Sequence, residues 1–242
     1  MKIQMTLGVF AAAASALAFP VNTSFEAPGY SLGTLDGQNN WQNVTGNYQV
    51  VSGGARTGSQ AVAFNDNTGV AIPWAGPAGD AATTNARGSV WVNVLGNSSL
   101  DYGFGLDVIY DGLSLDYSTV LVRRDGAVFV TSGSQNPNLA QVGNVGAIFD
   151  QYVNVTVTTD AVTKAVSASV NGVNFALPSL TNTGSIRSIY MTAFNISGST
   201  TAVSGQARFD DYSFEAVPEP GSMLVLSALG AGIFARRKAR RS

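Results

Sequence analysis

The sequence predicts an all-β protein built as a two-sheet antiparallel sandwich, and three observations predict it. The chain has 27 Gly and only 12% charged residues, and it is rich in Ser, Thr, Asn and Val. That composition suits short strands joined by tight turns rather than helices. Apolar residues alternate with polar ones at period two, the mark of a half-buried strand. Finally, paired runs flank Asp-Gly and Asn-Gly dipeptides, which supply the positive φ values of a two-residue hairpin turn.

In chain order the first clear strand covers residues 60–65. Residues 89–94 place Val90, Val92 and Val94 on one face and Trp91 and Asn93 on the other. Residues 102–110 follow. Residues 120–124 and 127–131 flank Asp125-Gly126 and predict a type I′ hairpin. Residues 152–158 alternate Val153, Val155 and Val157 with Asn154, Thr156 and Thr158. Asn171-Gly172 repeats the turn signal after residues 164–170, and residues 188–194 and 207–214 complete the set. About ten to twelve strands fit a sandwich. No repeat of fixed period and no amphipathic helix interrupts the pattern. Two stretches read as longer loops, 75–85 and 132–145, and the second is a place for a ligand site because loops carry function.

A chain of 242 residues suits one large sandwich domain. It contains no cysteine, which excludes disulfides, iron–sulfur clusters and thiol catalysis. It contains no histidine either. The usual general base, the Ser-His-Asp arrangement and nearly every zinc or copper site are thereby excluded. Of the 13 basic residues, five lie among the last seven positions (Arg236, Arg237, Lys238, Arg240, Arg241) and one is Lys2. Between Phe19 and Ala235 there remain 7 basic residues against 15 acidic ones, a net charge of −8. An acidic body excludes nucleic acid as a partner, since phosphate binding needs clustered Lys and Arg.

Both ends have the composition of targeting segments. Residues 1–18 begin Met1-Lys2, continue as an apolar run and close on Ala16-Leu17-Ala18. This is the pattern of a secretory signal peptide cleaved after Ala18, with Ala16 and Ala18 as the small cleavage-site residues. At the other end, Val217-Pro218-Glu219-Pro220 precedes an apolar stretch over 221–235 and a basic tail over 236–242. Fifteen helical residues give roughly 22 Å against a hydrocarbon core of ~30 Å, a thin span that snorkelling arginines and local bilayer thinning accommodate. Basic residues on the cytoplasmic side leave the acidic body outside.

The succession of Pro218-Glu219-Pro220, a short small-residue apolar segment and a terminal Arg cluster resembles the PEP-CTERM sorting signal of Gram-negative bacteria. The resemblance covers residues 216–242. It implies a tail held in the inner membrane and processed by an exosortase near the Pro-Glu-Pro motif, in a bacterium that makes extracellular polysaccharide or biofilm matrix.

A second resemblance covers most of residues 19–215. Phe25-Glu26, Gly29-Tyr30-Ser31-Leu32-Gly33, Gly37-Gln38-Asn39-Asn40-Trp41 and a closing Phe209-Asp210-Asp211-Tyr212-Ser213-Phe214 are similar to the concanavalin A-like, laminin G-like jelly rolls of secreted bacterial proteins. Lectins, sugar-binding modules and glycosidases share that fold, so the fold leaves function open. Jelly-roll glycosidases carry a Glu-x-Asp-x-x-Glu strand motif. This chain has only Glu26, Glu215 and Glu219, none at that spacing, and the expectation is that it is not an enzyme. The rival is a secreted carbohydrate-active enzyme pairing carboxylates among Asp101, Asp107, Asp111 and Asp116, which would stand about 5–9.5 Å apart.

Carbohydrate binding needs an aromatic face for C–H groups and polar side chains for hydroxyls. The available aromatics are Trp41, Trp74, Tyr30, Tyr102, Tyr110 and Tyr117, with Trp41, Trp74, Tyr30 and Tyr110 foremost; Trp91 suits either a core or a sheet-surface position. The jelly-roll resemblance further implies a structural calcium stapling first strand to last, with Glu26, Asp210 and Asp211 as hard oxygen ligands, and no other cofactor. Five Asn-x-Ser/Thr sequons, at Asn22, Asn43, Asn97, Asn154 and Asn195, follow from composition in a bacterial chain. The expected protein is thus an exported surface or matrix protein associated with polysaccharide and partnered by an exosortase and the membrane.

Overall fold

The computed structural model describes residues 21–217, apart from 43, 45–46, 67–73, 78–84, 111–116, 133–138, 161, 180–184 and 197–204. The proposed signal peptide, the Pro218-Glu219-Pro220 motif, the apolar stretch and the basic tail lie outside these residues. Among the described residues no helix is long and apolar enough to cross a membrane.

The first eight strands are β1 (Val21–Thr23), β2 (Gly33–Thr34), β3 (Trp41–Gln42), β4 (Tyr48–Ser52), β5 (Gln60–Asp66), β6 (Trp74–Pro77), β7 (Asn85–Val94) and β8 (Tyr102–Tyr110). The second eight are β9 (Tyr117–Val122), β10 (Ala127–Ser132), β11 (Ala140–Asn144), β12 (Tyr152–Asp160), β13 (Ala165–Val170), β14 (Val173–Ala176), β15 (Ile186–Asn195) and β16 (Gly205–Ala216). They form two antiparallel sheets. A nine-stranded sheet runs β14-β13-β12-β7-β16-β5-β4-β2, with β1 also on β16; a seven-stranded sheet runs β11-β10-β9-β8-β15-β6-β3. The all-β, two-sheet reading of the sequence holds, and every strand expected from period two is present.

Alternation explains the nine-stranded sheet. In β7, Val90, Val92 and Val94 are buried while Ser89, Trp91 and Asn93 are partly exposed. Val153, Val155 and Val157 of β12 face the same core. Against them the seven-stranded sheet lays Phe104, Leu106 and Val108 of β8 and Ile189, Met191 and Ala193 of β15. The middle of that second sheet is buried on both sides: all nine residues of β8 are buried, and Leu121, Ala127 and Phe129 form a separate apolar cluster on its far face.

The two turn signals have different outcomes. Asn171 and Gly172 both take positive φ, 50° and 81°, and Val170 pairs with Val173, so this is the expected two-residue turn. At Asp125-Gly126 only Gly126 has positive φ, 83°. Arg123 N–H donates to Ala127 C=O at 2.9 Å and Gly126 N–H to Arg123 C=O at 2.8 Å. The loop therefore holds three residues, a type I turn with a left-handed glycine after it, and the two-residue expectation is corrected. The cause is local. Arg123 grips the Asp125 carboxylate through two hydrogen bonds of 2.8 and 2.6 Å, which holds Asp125 right-handed, and the neighbouring guanidinium keeps that carboxyl below its ordinary range. The stretch expected as a loop over 132–145 contains edge strand β11 instead, and that over 75–85 contains most of β6.

A Cβ on Gly126 would stand 1.9 Å from the Gly146 carbonyl oxygen, whereas one on Gly172 would meet nothing within 4 Å. Gly172→Ala is expected to cost about 1 kcal/mol, the left-handed strain alone, and Gly126→Ala at least about 2–3 kcal/mol, strain plus clash. Urea unfolding of the two variants checks the order, and equal costs would contradict the close approach.

Candidate functional site

Aromatic residues expected to meet a ligand are mostly spent in the core. Phe25, left-handed at φ 62°, turns its ring beneath Tyr30 and Trp41, with centroids 5.2 and 5.3 Å away. Trp41 is fully buried, packs edge-on to Tyr212 at 5.2 Å, and its indole N–H donates to the Tyr30 hydroxyl at 2.8 Å. Tyr110 is also buried; its hydroxyl donates to Ser118 at 3.1 Å and lies 2.6 Å from the Thr159 hydroxyl. Trp41, Tyr30 and Tyr110 therefore offer no face to a ligand, because packing and hydrogen bonding already use both their rings and their polar atoms. Trp74 places its backbone in β6, opposite Thr192.

The three carboxylates expected to bind calcium do meet one element, the 53–59 loop between β4 and β5, yet hydrogen-bond donors hold them. Glu26 accepts from Ser59 N–H and Gln60 N–H at 2.9 and 2.8 Å and from the Ser59 hydroxyl at 2.9 Å. These donors, Gln60 N–H first, pull its carboxyl below the ordinary 4.5. Asp210 accepts from Arg56 N–H at 2.8 Å, Thr57 N–H at 3.1 Å and Asp211 N–H at 2.8 Å; burial nevertheless pushes its carboxyl above the ordinary 3.8. Asp211 accepts from the Arg56 guanidinium at 2.6 Å and the Thr57 hydroxyl at 2.7 Å. Calcium takes six to eight oxygens, whereas these carboxylates are already occupied by N–H and O–H donors and one is neutralised by a guanidinium. Among the described residues no group of three or more His, Cys, Asp or Glu could hold a metal ion. The donor set does not fit calcium; Arg56 and backbone amides supply the staple.

Local sequence shapes this clamp. Gly58 takes φ 68°, and a Cβ there would stand 2.4 Å from the Glu26 carboxylate, so only glycine lets the loop pass so close. β16 carries one residue more than β7 between Asp210 and Ser213, a bulge at which Asp211 is left-handed at φ 46°. Asp210 and Asp211 are thereby aimed together at the loop.

The clamp lies over the outer face of the nine-stranded sheet. Trp91 stands there, partly exposed, between Asn154 of β12 and Asp210 of β16, with the Arg56 guanidinium carbon 3.7 Å from its ring centroid, a cation–π contact. One rung away, Tyr152, Asn93 and Arg208 stand side by side. The Tyr152 hydroxyl donates to Gly54 C=O at 2.8 Å, and burial drives its pKa well above the usual tyrosine value. Asn93 Oδ1 is buried without a hydrogen-bond partner, a cost that scaffolds avoid. The next rungs bear hydroxyls and amides: Ser89 and Ser213 are 2.8 Å apart, and Thr156 donates to Asn154 at 2.7 Å. Between β1 and β16 an open depression of about 310 Å³ is lined by Asn22, Thr23, Ser24, Asp211, Tyr212 and Ser213. Trp91 was legible only as ambiguous; the Gly-Gly-x-Arg-x-Gly run at 53–58 was the unread signal for its surroundings.

Of the rival carboxylates, Asp101 and Asp107 do not pair. Asp101 accepts from the Ser99 hydroxyl at 3.1 Å, while Asp107 is buried on the far face of β8 and accepts from Thr119 at 2.8 Å. Six extended residues separate them by about 20 Å, beyond the ~9.5 Å limit for a glycosidase pair. Asp111 and Asp116 lie outside the described residues.

The sandwich is similar in fold to solved structures of enzymes. Alginate lyase vAL-1 from Chlorella virus aligns with 77% of this chain and 99% of its own, at 13% identity and a TM-score of 0.54. The carbohydrate esterase of Shiga toxin-encoding bacteriophage phi24B aligns with 84% of this chain and 99% of its own, at 14% identity and a TM-score of 0.53. A sialidase aligns with 74% of this chain at 11% identity and a TM-score of 0.51, and this chain spans only 17% of that chain. These identities speak for the fold alone. They overturn the expectation of a non-enzyme all the same, because that expectation took a missing glutamate motif as decisive, and sandwiches of similar fold occur in a lyase, an esterase and, over part of its chain, a sialidase. Residues 216–241 match the PEP-CTERM protein-sorting motif, so the tail is the sorting signal that its three-part order resembled. No curated protein matches the sequence.

The signs of the two carboxyl shifts predict opposite pH effects. Glu26, lowered, contributes stability above its ordinary value, lost as pH falls through its folded value; Asp210, raised, contributes stability below its ordinary value, lost as pH rises through its folded value. The advantage of the native chain over Glu26→Gln should therefore shrink between about pH 6 and about pH 3, and its advantage over Asp210→Asn should grow. Urea denaturation across that range measures both, and parallel curves would contradict the assignment.

Proposed function

We propose that the protein is exported across the inner membrane of a Gram-negative bacterium, sorted by an exosortase at Pro218-Glu219-Pro220, and placed at the cell surface or in the extracellular matrix, where its sandwich engages polysaccharide. One observation carries the sorting part of this reading: the matched motif at 216–241 starts where the last strand of the sandwich ends, at Ala216. An N-terminal segment with the pattern of a cleaved export signal supports it, as does an apolar stretch followed by five basic residues. A sandwich of the kind that carbohydrate-active proteins use supports the polysaccharide part.

The test is mass spectrometry of the protein from its native host, separated into membrane and secreted pools. A secreted form that begins near Phe19 and ends near Pro218-Glu219-Pro220 is expected. An intact C-terminus confined to the membrane would make the tail an ordinary anchor and overturn the reading. A turnover assay of the same material on polysaccharides separates holding the polymer from cleaving it.

A further inference from the structure

The side of the sandwich at which β11 and β14 end the two sheets carries no charge. Residues 126–149, which hold β10 and β11, and residues 165–186, which hold β13 and β14, contain no Asp, Glu, Lys or Arg. The two edges meet there: Phe175 of β14, half-buried, lays its ring so close to Gly143 of β11 that a Cβ on Gly143 would stand 2.6 Å from it. Val142 of β11 and Val173 of β14 stand exposed, so this side presents an apolar strip in a body whose net charge is −8. Two copies of such a body repel each other least across a face without charge.

The two edges differ as templates for a further strand. β11 pairs Gly143 with Val128 and Gln141 with Phe129, which leaves Val142 as an extra residue, and such a bulge blunts an edge. β14 has no bulge, no proline and no lysine. The Asn171-Gly172 turn joins Val170 and Val173 as a hydrogen-bonded pair, so the N–H and C=O of Val173 and Phe175 face β13 while those of Asn174 and Ala176 face outward. Both outward residues are exposed, and among the described residues their backbone groups meet no partner. This edge is complementary to itself. With a two-fold axis at Phe175, Asn174 of one copy pairs with Ala176 of the other through two hydrogen bonds, Ala176 pairs with Asn174 through two more, and the two Phe175 side chains face each other as a cross-strand aromatic pair. We propose that β14 is an interface between two copies of this chain, which join their nine-stranded sheets edge to edge in antiparallel register about Phe175. Such pairing is independent of export, sorting and polysaccharide engagement.

Four hydrogen bonds and one apolar strip make a small interface, so the copies associate weakly and the test runs at high protein concentration. The chain has no cysteine, which lets Asn174→Cys and Ala176→Cys be made singly in the full chain, purified in detergent. In the proposed register the two positions lie about 5.5 Å apart across the axis, within disulfide reach, whereas each lies about 9 Å from its own counterpart, beyond that reach. On mild oxidation an equal mixture of the two variants is expected to cross-link at least about 10-fold faster than either variant alone. Val162→Cys, on the exposed turn between β12 and β13, is the control and should gain nothing when mixed with either. Ala176→Pro removes one outward donor from each copy without touching a bond to β13. It should weaken association in sedimentation at least about 10-fold, with the thermal midpoint of the fold retained. Equal rates in the mixture and the single variants, no cross-link at all, or association untouched by Ala176→Pro would overturn the inference, and none of these outcomes bears on sorting.

Discussion

Strand β16 pairs with β7 along one side and with two strands, β5 and then β1, along the other. It can do so because of the extra residue at Asp210–Asp211. In a regular strand alternate side chains share a face, so a core face set by Ala207 and Phe209 would send Tyr212 and Phe214 to solvent. The bulge shifts the parity by one. Ala207, Phe209, Tyr212 and Phe214 all enter the core, and the Tyr212 hydroxyl reaches the Ile189 carbonyl of the opposite sheet. The same residue that preserves the core pushes two adjacent carboxylates out together, and these hold the 53–59 loop in place over Trp91. Core register, loop anchorage and the form of the outer face thus share one cause.

What the sequence made legible follows from element length. β7, β12 and β16 are 10, 9 and 12 residues long, enough for several repeats of period two to stand out. β8 keeps a bulky residue at every second position, Tyr102, Phe104, Leu106, Val108 and Tyr110, so its period two survives although all nine residues are buried. β2 and β3, of two residues each, have no period to detect, and they exist because longer neighbours present free edges. The turns show the limit of dipeptide rules: Asn171-Gly172 has no competing side chain, whereas Asp125 is captured by an arginine two residues back. A local signal holds where no nearby partner overrides it.

The site was legible in part. Glu26, Asp210 and Asp211 were singled out together, and the fold does bring them to one loop. Their chemistry was misassigned because the decisive partners are backbone N–H groups, which sequence does not display, and Arg56, which stands 154 residues from Asp210. Three of the aromatic candidates, Trp41, Tyr30 and Tyr110, failed for the opposite reason. Trp41 and Tyr30 satisfy each other through an indole-to-phenol hydrogen bond, which makes both suitable for the interior, while Trp91, flanked by polar neighbours on both adjoining strands, remained outside. An aromatic ring in a sandwich reaches the surface when its cross-strand neighbours are hydrophilic, and that is a property of register rather than of the residue.

The end of β16 sets how the body is mounted. Val217 N–H still donates to Asn85 C=O at 2.9 Å, and the apolar stretch starts at Gly221. Only three residues lie between, a tether of about 14 Å at full extension. A chain anchored through that stretch would hold the end of β16 within about 14 Å of it, so the body could not move far from whatever holds the tail.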